Sequence, residues 1–266
     1  MLVVGERINS TRKRLLPAIE TRDVAVITDE ATMQVNAGAH YLDCNAAAVG
    51  VDKEPEFLTW LVATVQQVSQ DTPCAIDSPN PVAVEAALKV HKGVPMINSI
   101  SAEKAKYDGL MPLARDSKAK VVALLMDDAG IPKTAADRIA IGRSLVTSLV
   151  KDGIAADNIY VDPLIYPIGA EASAGTAVLE TISTLKKEFD GVHFICGLSN
   201  ISYGLPVRKL LNQAFMVLTI GAGLDAAIID PTDRKLMSLA FAAEALVGAD
   251  EYCANYIQAA RQERLE

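Results

Sequence analysis

Cys74-Ala75-Ile76-Asp77-Ser78-Pro79-Asn80-Pro81-Val82-Ala83-Val84-Glu85-Ala86-Ala87-Leu88 reads as one complete strand-to-helix unit. A short β-rich run ends in a carboxylate and a turn follows. Asn80 before Pro81 then has the form of an N-cap with proline at the first helical position, where a missing N–H forfeits no bond. The same order recurs outward in both directions. β-rich runs lie at Leu2 to Val4, His40 to Asp43, Cys74 to Asp77, Val94 to Asn98, Lys120 to Met126, Asn158 to Asp162, Val192 to Gly197 and Leu224 to Asp230, with helix periodicity between them. Thr134 and Asp137 resemble a capping box at another helix start. Eight such units in ~250 residues match a (β/α)8 TIM barrel, whereas a doubly wound open sheet usually has about five or six strands. No Gly-rich phosphate fingerprint follows any strand, and no linker rich in Pro, Gly or Ser divides the chain. Residues 1–266 therefore read as a single α/β domain, with an extra C-terminal helix over about 250–265 whose outward face could serve an oligomer contact.

Composition narrows the classes of function. Lys and Arg number 25 against 33 Asp and Glu, a net charge of −8, and no basic cluster offers the footprint a nucleic acid requires. Hydrophobic residues make up 50% of the chain and charged residues 22%, enough to bury a large core. The longest apolar runs, such as Val121 to Met126, are strand-sized, so no membrane span is expected. The N-terminus lacks a signal-peptide core and predicts a cytoplasmic protein. Cys44, Cys74, Cys196 and Cys253 show no C-x-x-C spacing and read as reduced, mostly buried thiols rather than disulfides or a zinc site.

The strand ends carry the functional signal. In order they offer Glu6 and Asn9, Asp43 and Asn45, Asp77, Asn98, Asp127, Asp162, Ser199 with Asn200, and Asp230. A barrel gathers all of these at its C-terminal mouth, the face where such folds carry their chemistry. Short polar residues can also do no more than cap helices and close Asx turns. Carboxylates or amides at all eight ends go further, because acids collected over an apolar core need donors to satisfy them. His40, His91 and His193 fall at strand starts or a helix end, which argues against histidine catalysis or a histidine metal site. No strand ends in lysine, which disfavours a Schiff-base mechanism. Asp and Asn together suit a neutral, flat ligand rich in N–H groups, such as an aminopyrimidinone ring. One carboxylate can accept its 2-amino group and N3–H side by side. Mg2+ or Ca2+ is the rival use of these acids, but no ordered ligand-loop spacing is present and no protein-bound metal is expected.

Five segments carry a family resemblance: Gly5-Glu6-Arg7-Ile8-Asn9, Cys74 to Ser78, Met96 to Ser99, Tyr160 to Pro163, and the twelve residues Gly197-Leu198-Ser199-Asn200-Ile201-Ser202-Tyr203-Gly204-Leu205-Pro206-Val207-Arg208. Together they resemble pterin-binding methyltransferases, above all methyltetrahydrofolate:corrinoid protein methyltransferases, with the folate domain of methionine synthase a cousin. The resemblance implies that Asp77, Asn98 and Asp162 hold the pterin edge, that Asn200 lies beside N5, that Arg208 contacts the folate, and that Ser199 also touches it. Glu6, Asn9, Asp43, Asn45 and Tyr203 are candidates for the surrounding layer. Tyr203 stands where some members have glutamine, and Pro79 where a polar residue is common.

The activity so implied is methyl transfer between N5 of 5-methyltetrahydrofolate and the cobalt of a corrinoid (cobalamin) on a separate protein, since the barrel accounts for the 266 residues. The resemblance also implies a homodimer through outer helices such as Pro206 to Ala222. Two alternatives share the same pterin site. One is a dihydropteroate synthase-like enzyme, which needs basic groups for a pyrophosphate leaving group where only Arg208 is evident; the other is a non-catalytic folate-binding subunit.

Overall fold

The computed structural model describes residues 1–68 and 72–266. Eight parallel strands alternate with helices: β1 (Leu2–Asn9), α1 (Leu15–Glu20), α2 (Val24–Asn36), β2 (Tyr41–Asn45), α3 (Glu54–Val65), β3 (Cys74–Asp77), α4 (Pro81–Leu88), β4 (Met96–Ser101), α5 (Lys104–Asp116) and β5 (Lys120–Leu124). There follow α6 (Ala135–Lys151), β6 (Ile159–Asp162), α7 (Ala174–Glu188), β7 (His193–Phe194), α8 (Arg208–Ala222), β8 (Ala226–Ile229), α9 (Arg234–Leu246) and α10 (Ala254–Arg261). Each strand pairs with its predecessor, and β8 pairs with β1. The last seam, β7 against β8, is closed by Ile228 N–H donating to Cys196 O at 2.9 Å and Asp225 N–H to Phe194 O at 3.3 Å. The result is the (β/α)8 TIM barrel that the sequence predicts.

The start signals work as read. Asn80 accepts from Val82 N–H at 3.1 Å, and Thr134 and Asp137 exchange both bonds of a capping box. Boundaries shift at most of the strands. β1 continues beyond Val4 to Asn9; β2 and β4 run on to Asn45 and Ser101; β5 stops at Leu124, leaving Asp127 in a turn; β7 keeps only His193–Phe194 of the expected Val192 to Gly197; β8 is trimmed to Ala226–Ile229; and the C-terminal helix covers only Ala254–Arg261. That last helix starts late because Asp250 accepts the N–H groups of Asn255 and Tyr256, and a 3-10 turn at Glu251–Cys253 leads into it. Cys44, Cys74 and Cys196 are buried and Cys253 is exposed, all four as free thiols.

Strand alternation positions the site. Val4, Tyr41, Ala75, Met96, Val122, Tyr160, Ile195, Ala226 and Ile228 form a separate apolar cluster inside the barrel, while their neighbours face the helices. Two residues onward, on the same inward face, stand Glu6, Asp43, Asp77, Asn98 and Asp162. The polar floor is thus the next layer above a dry core. Irregularities in β1 between Gly5 and Ile8, and in β4 between Asn98 and Ile100, end the alternation there, so Ile8 and Ile100 pack outward against helices.

Candidate active site

The mouth holds a cavity of about 840 Å³ whose wall includes Glu6, Asn9, Asp43, Asp77, Asn98, Asp162, Ser199, Asn200, Tyr203, Arg208 and Asp230. That volume accommodates a small organic ligand. Hydrogen bonds sort the acids and amides into two groups. Asn9 accepts from Thr11 N–H and Asp127 from Ala129 N–H, the Asx turns that any loop can contain; Asp162 and Asp230 close the same turn with Leu164 N–H and Thr232 N–H, and Asp230 is also held across strands by Arg7. Asp127 lies off the cavity wall, so its place at a predicted strand end has a local explanation only. Asp43, Asp77 and Asn98 close no such turns; their side chains are engaged across strands.

The cross-strand network starts at the ends of β1 and β2. Ser10 Oγ donates to Asn45 Oδ1 at 2.7 Å, turning the Asn45 amide so that Nδ2 donates to Asp77 Oδ2 at 3.0 Å. Asn45 therefore buttresses Asp77 and does not face the cavity. Asn98 Nδ2 donates to Asp43 Oδ1 at 3.1 Å, and the Asp43 and Asp77 carboxyls share a hydrogen bond. Burial and the adjacent Asp77 push the Asp43 carboxyl well above the usual carboxylate range. Burial likewise raises Asp77 to about 6, although the bond from Asn45 opposes it. Asp162 accepts from Leu164 N–H at 2.8 Å and from Gly197 N–H; burial raises it to about 7 against those bonds.

The opposite wall is the turn after β7. Leu198–Ser202 form a 3-10 turn, and Asn200 stands exposed in the mouth with its Nδ2 folded back over Gly197. Among the described residues its amide has no hydrogen-bond partner, so both of its ends are available to a ligand. Arg208 Nη2 donates to Ser199 O at 2.6 Å and Nε to Ser202 Oγ at 3.1 Å, pinning the turn to the start of α8. The Tyr203 ring packs beneath that guanidinium, 5.8 Å from ring centre to Cζ. Glu6 hydrogen-bonds to Ser199, and burial raises its carboxyl against the pull of Arg12. Val207, between Tyr203 and α8, has φ 52°, a conformation β-branched residues rarely adopt, which turns the chain sharply beside the site.

Residues 5–249 match the family described as pterin binding enzyme. The chain belongs to the pterin-binding enzyme family. It is 36% identical over 267 aligned positions to a methylcorrinoid:tetrahydrofolate methyltransferase of Eubacterium limosum, covering all of this chain and 98% of that one. It is 32% identical to a methionine synthase of Mycobacterium tuberculosis over 86% of this chain, which spans 20% of that larger protein. Among solved structures, Yersinia pestis dihydropteroate synthase superposes with a TM-score of 0.66 at 14% identity over 93% of each chain, a likeness of fold.

In this pterin-binding barrel the histidines serve the opposite end. His40 accepts from Val3 N–H, His91 from Cys74 N–H, and His193 pairs with Asp225 and Asp157. Among the described residues no three His, Cys, Asp or Glu side chains are arranged to hold a metal ion. Sequence reasoning missed Arg7, Arg12 and Lys209 on the wall. Arg7 sits within the quoted Gly5-Glu6-Arg7 segment, and its role depends on distant partners: it bridges Asp230 at 2.8 Å and the buried Glu30 at 2.7 Å, fixing the β1–β8 rim. Leu164 and Ile165 supply apolar wall beside Asp162, while Pro79 lies outside the cavity.

Proposed function

We propose that this cavity binds the pterin of 5-methyltetrahydrofolate and that the chain transfers a methyl group between N5 of tetrahydrofolate and the cobalt of a corrinoid carried by a separate protein. The observation that carries this reading is the end-to-end similarity to a methylcorrinoid:tetrahydrofolate methyltransferase. The donor–acceptor pattern of the floor supports it. An ionised Asp162 accepts the 2-amino group and N3–H as a bidentate pair, and Asp77 with Asn98 meets the rest of the ring edge. Leu164 and Ile165 cover apolar ring surface, and Arg208 and Ser199 reach the p-aminobenzoate side.

Methyl transfer to cobalt is an in-line displacement at carbon in which the N5–CH3 bond breaks as the Co–CH3 bond forms. The departing N5 must carry a proton, since a neutral reduced pterin is a far better leaving group than its anion. Asn200 is the polar side chain free to respond. Its Oδ1 accepts from protonated N5–H, a bond that strengthens as the transition state forms. The open mouth beside Tyr203 and Arg208 gives the corrinoid protein access to the methyl group.

The protein works as a cytoplasmic homodimer in this reading. Its exposed α8 residues Leu210, Ala214 and Leu218, spaced four apart, form an apolar stripe suited to the partner helix. The test of function is anaerobic mixing with methyltetrahydrofolate and cob(I)alamin, following the loss of the Co(I) absorption and the rise of the methylcobalamin band. Conversion faster than in the protein-free control is expected. Failure with both free cobalamin and corrinoid protein would refute the activity, and absence of folate binding would refute the pterin site.

A further inference from the structure

Asp43 is 3% exposed and contacts two of the residues assigned to the pterin edge. Its Oδ1 accepts from Asn98 Nδ2, and its carboxyl meets that of Asp77. Two carboxyls in hydrogen-bond contact above an apolar core hold a proton between them, because two adjacent buried anions repel too strongly. Asp77 already receives a donor from Asn45, whose own oxygen is engaged by Ser10 Oγ and Ala47 N–H and so cannot turn around. Each carboxyl thus receives one amide donor, Asp77 from Asn45 and Asp43 from Asn98, and a single proton lies between the two acids.

This arrangement fixes the Asn98 amide. One Nδ2 hydrogen is committed to Asp43, no donor among the described residues reaches Oδ1, and Oδ1 is not buried, on a residue that lines the cavity. An amide so held presents an acceptor to the ligand. A tetrahydropterin offers N8–H, a donor, next to the acceptor N1; the fully oxidised ring has a lone pair at N8 instead. An oxygen locked opposite N8 matches the first and opposes the second, whereas an amide free to rotate could present N–H to the oxidised ring.

We propose that Asp43, sharing one proton with Asp77, locks the Asn98 amide oxygen toward the cavity and thereby makes the site selective for reduced over fully oxidised pterins. Asp43 is a positioning residue in this account, and the account rests on the pterin reading given above. The test is the ratio of dissociation constants for folic acid and tetrahydrofolate, measured anaerobically by calorimetry on correctly folded protein. The wild type should favour tetrahydrofolate by roughly tenfold to a hundredfold, the effect of opposing two acceptors in a buried site. Asp43→Asn reproduces the neutral acid, donating to Asp77 and accepting from Asn98, and should keep that ratio within about threefold. Asp43→Ala should bring the ratio close to one. An Ala variant with the wild-type ratio, or an Asn variant resembling Ala, overturns the proposal while leaving the pterin site intact. A wild type that binds neither folate overturns the pterin reading itself. Should Asp43→Ala not fold, the infrared difference between wild type and Asp43→Asn at about pH 8 decides: a carboxylic-acid carbonyl band in the wild type that the variant lacks supports the proton shared between Asp43 and Asp77, and its absence refutes it.

Discussion

Replacing Asp162 with asparagine isolates the charge at the centre of the binding argument while keeping the side chain's shape. Burial holds the unliganded Asp162 carboxyl at about 7, and a bidentate grip on the 2-amino group and N3–H requires the ionised form. Apparent affinity should then follow the fraction ionised. The dissociation constant scales as 1 + 10^(7 − pH), so it rises about tenfold between pH 8 and pH 6, and binding at pH 7 releases about half a proton. Asp162→Asn loses the charge-assisted pair, which costs about 2–4 kcal/mol, or roughly 30- to 700-fold in affinity, and it removes this pH dependence. Stability has the opposite sign. The folded pKa lies above the unfolded value of 3.8, so the unliganded fold loses stability as pH rises from about 4 through about 7, by up to about 4 kcal/mol in total. The Asn variant should therefore gain stability relative to wild type across that window. Calorimetry in buffers of different ionisation enthalpy reads affinity and proton release together, and urea unfolding reads stability. A wild-type affinity unchanged from pH 8 to 6, or a variant with the wild-type pH profile, would refute the reasoning.

Asn200→Ala should lower the rate of methyl transfer on the order of 10²-fold with little change in folate affinity, as for loss of one preorganised polar group; stopped-flow turnover near wild type would remove it from the mechanism. Gly5→Ala places a Cβ against the Gln34 carboxamide and Leu42, with Gln34 Oε1 already accepting from Arg7 N–H. A loss of about 1–3 kcal/mol is expected in urea unfolding, and an unchanged midpoint would show that Gln34 yields freely. Leu218→Asp, on the exposed stripe of α8, should convert the proposed dimer to monomer in sedimentation equilibrium, whereas a wild type that already sediments as a monomer would dispose of that proposal.

Much of this architecture is legible one unit at a time. Cys74-Ala75-Ile76-Asp77 followed by Asn80-Pro81 specifies a strand, a turn and a capped helix through interactions within a few residues, and period-two alternation places Asp77 two steps above Ala75 on one face. Repetition of that unit implies the barrel, and the barrel gathers the strand ends. The sequence therefore determines which residues reach the mouth. It does not determine what each does there. Asn9 and Asp127 look equivalent to Asp77 and Asn98 in sequence, yet the former close local Asx turns and the latter bond across strands. Asn45, a candidate for the surrounding layer, supports Asp77 from off the cavity because Ser10, from another strand end, fixes its amide. The outward turn of Ile8 and Ile100 also escapes the alternation rule, because it depends on register with neighbouring strands. Local hydrogen bonding and side-chain periodicity are encoded over a few residues and can be read there; proton positions, amide orientations and raised carboxyl pKa values arise from groups far apart in the chain, as Asp43 and Asn98 are at 55 residues, and exist only once the barrel has closed and excluded water.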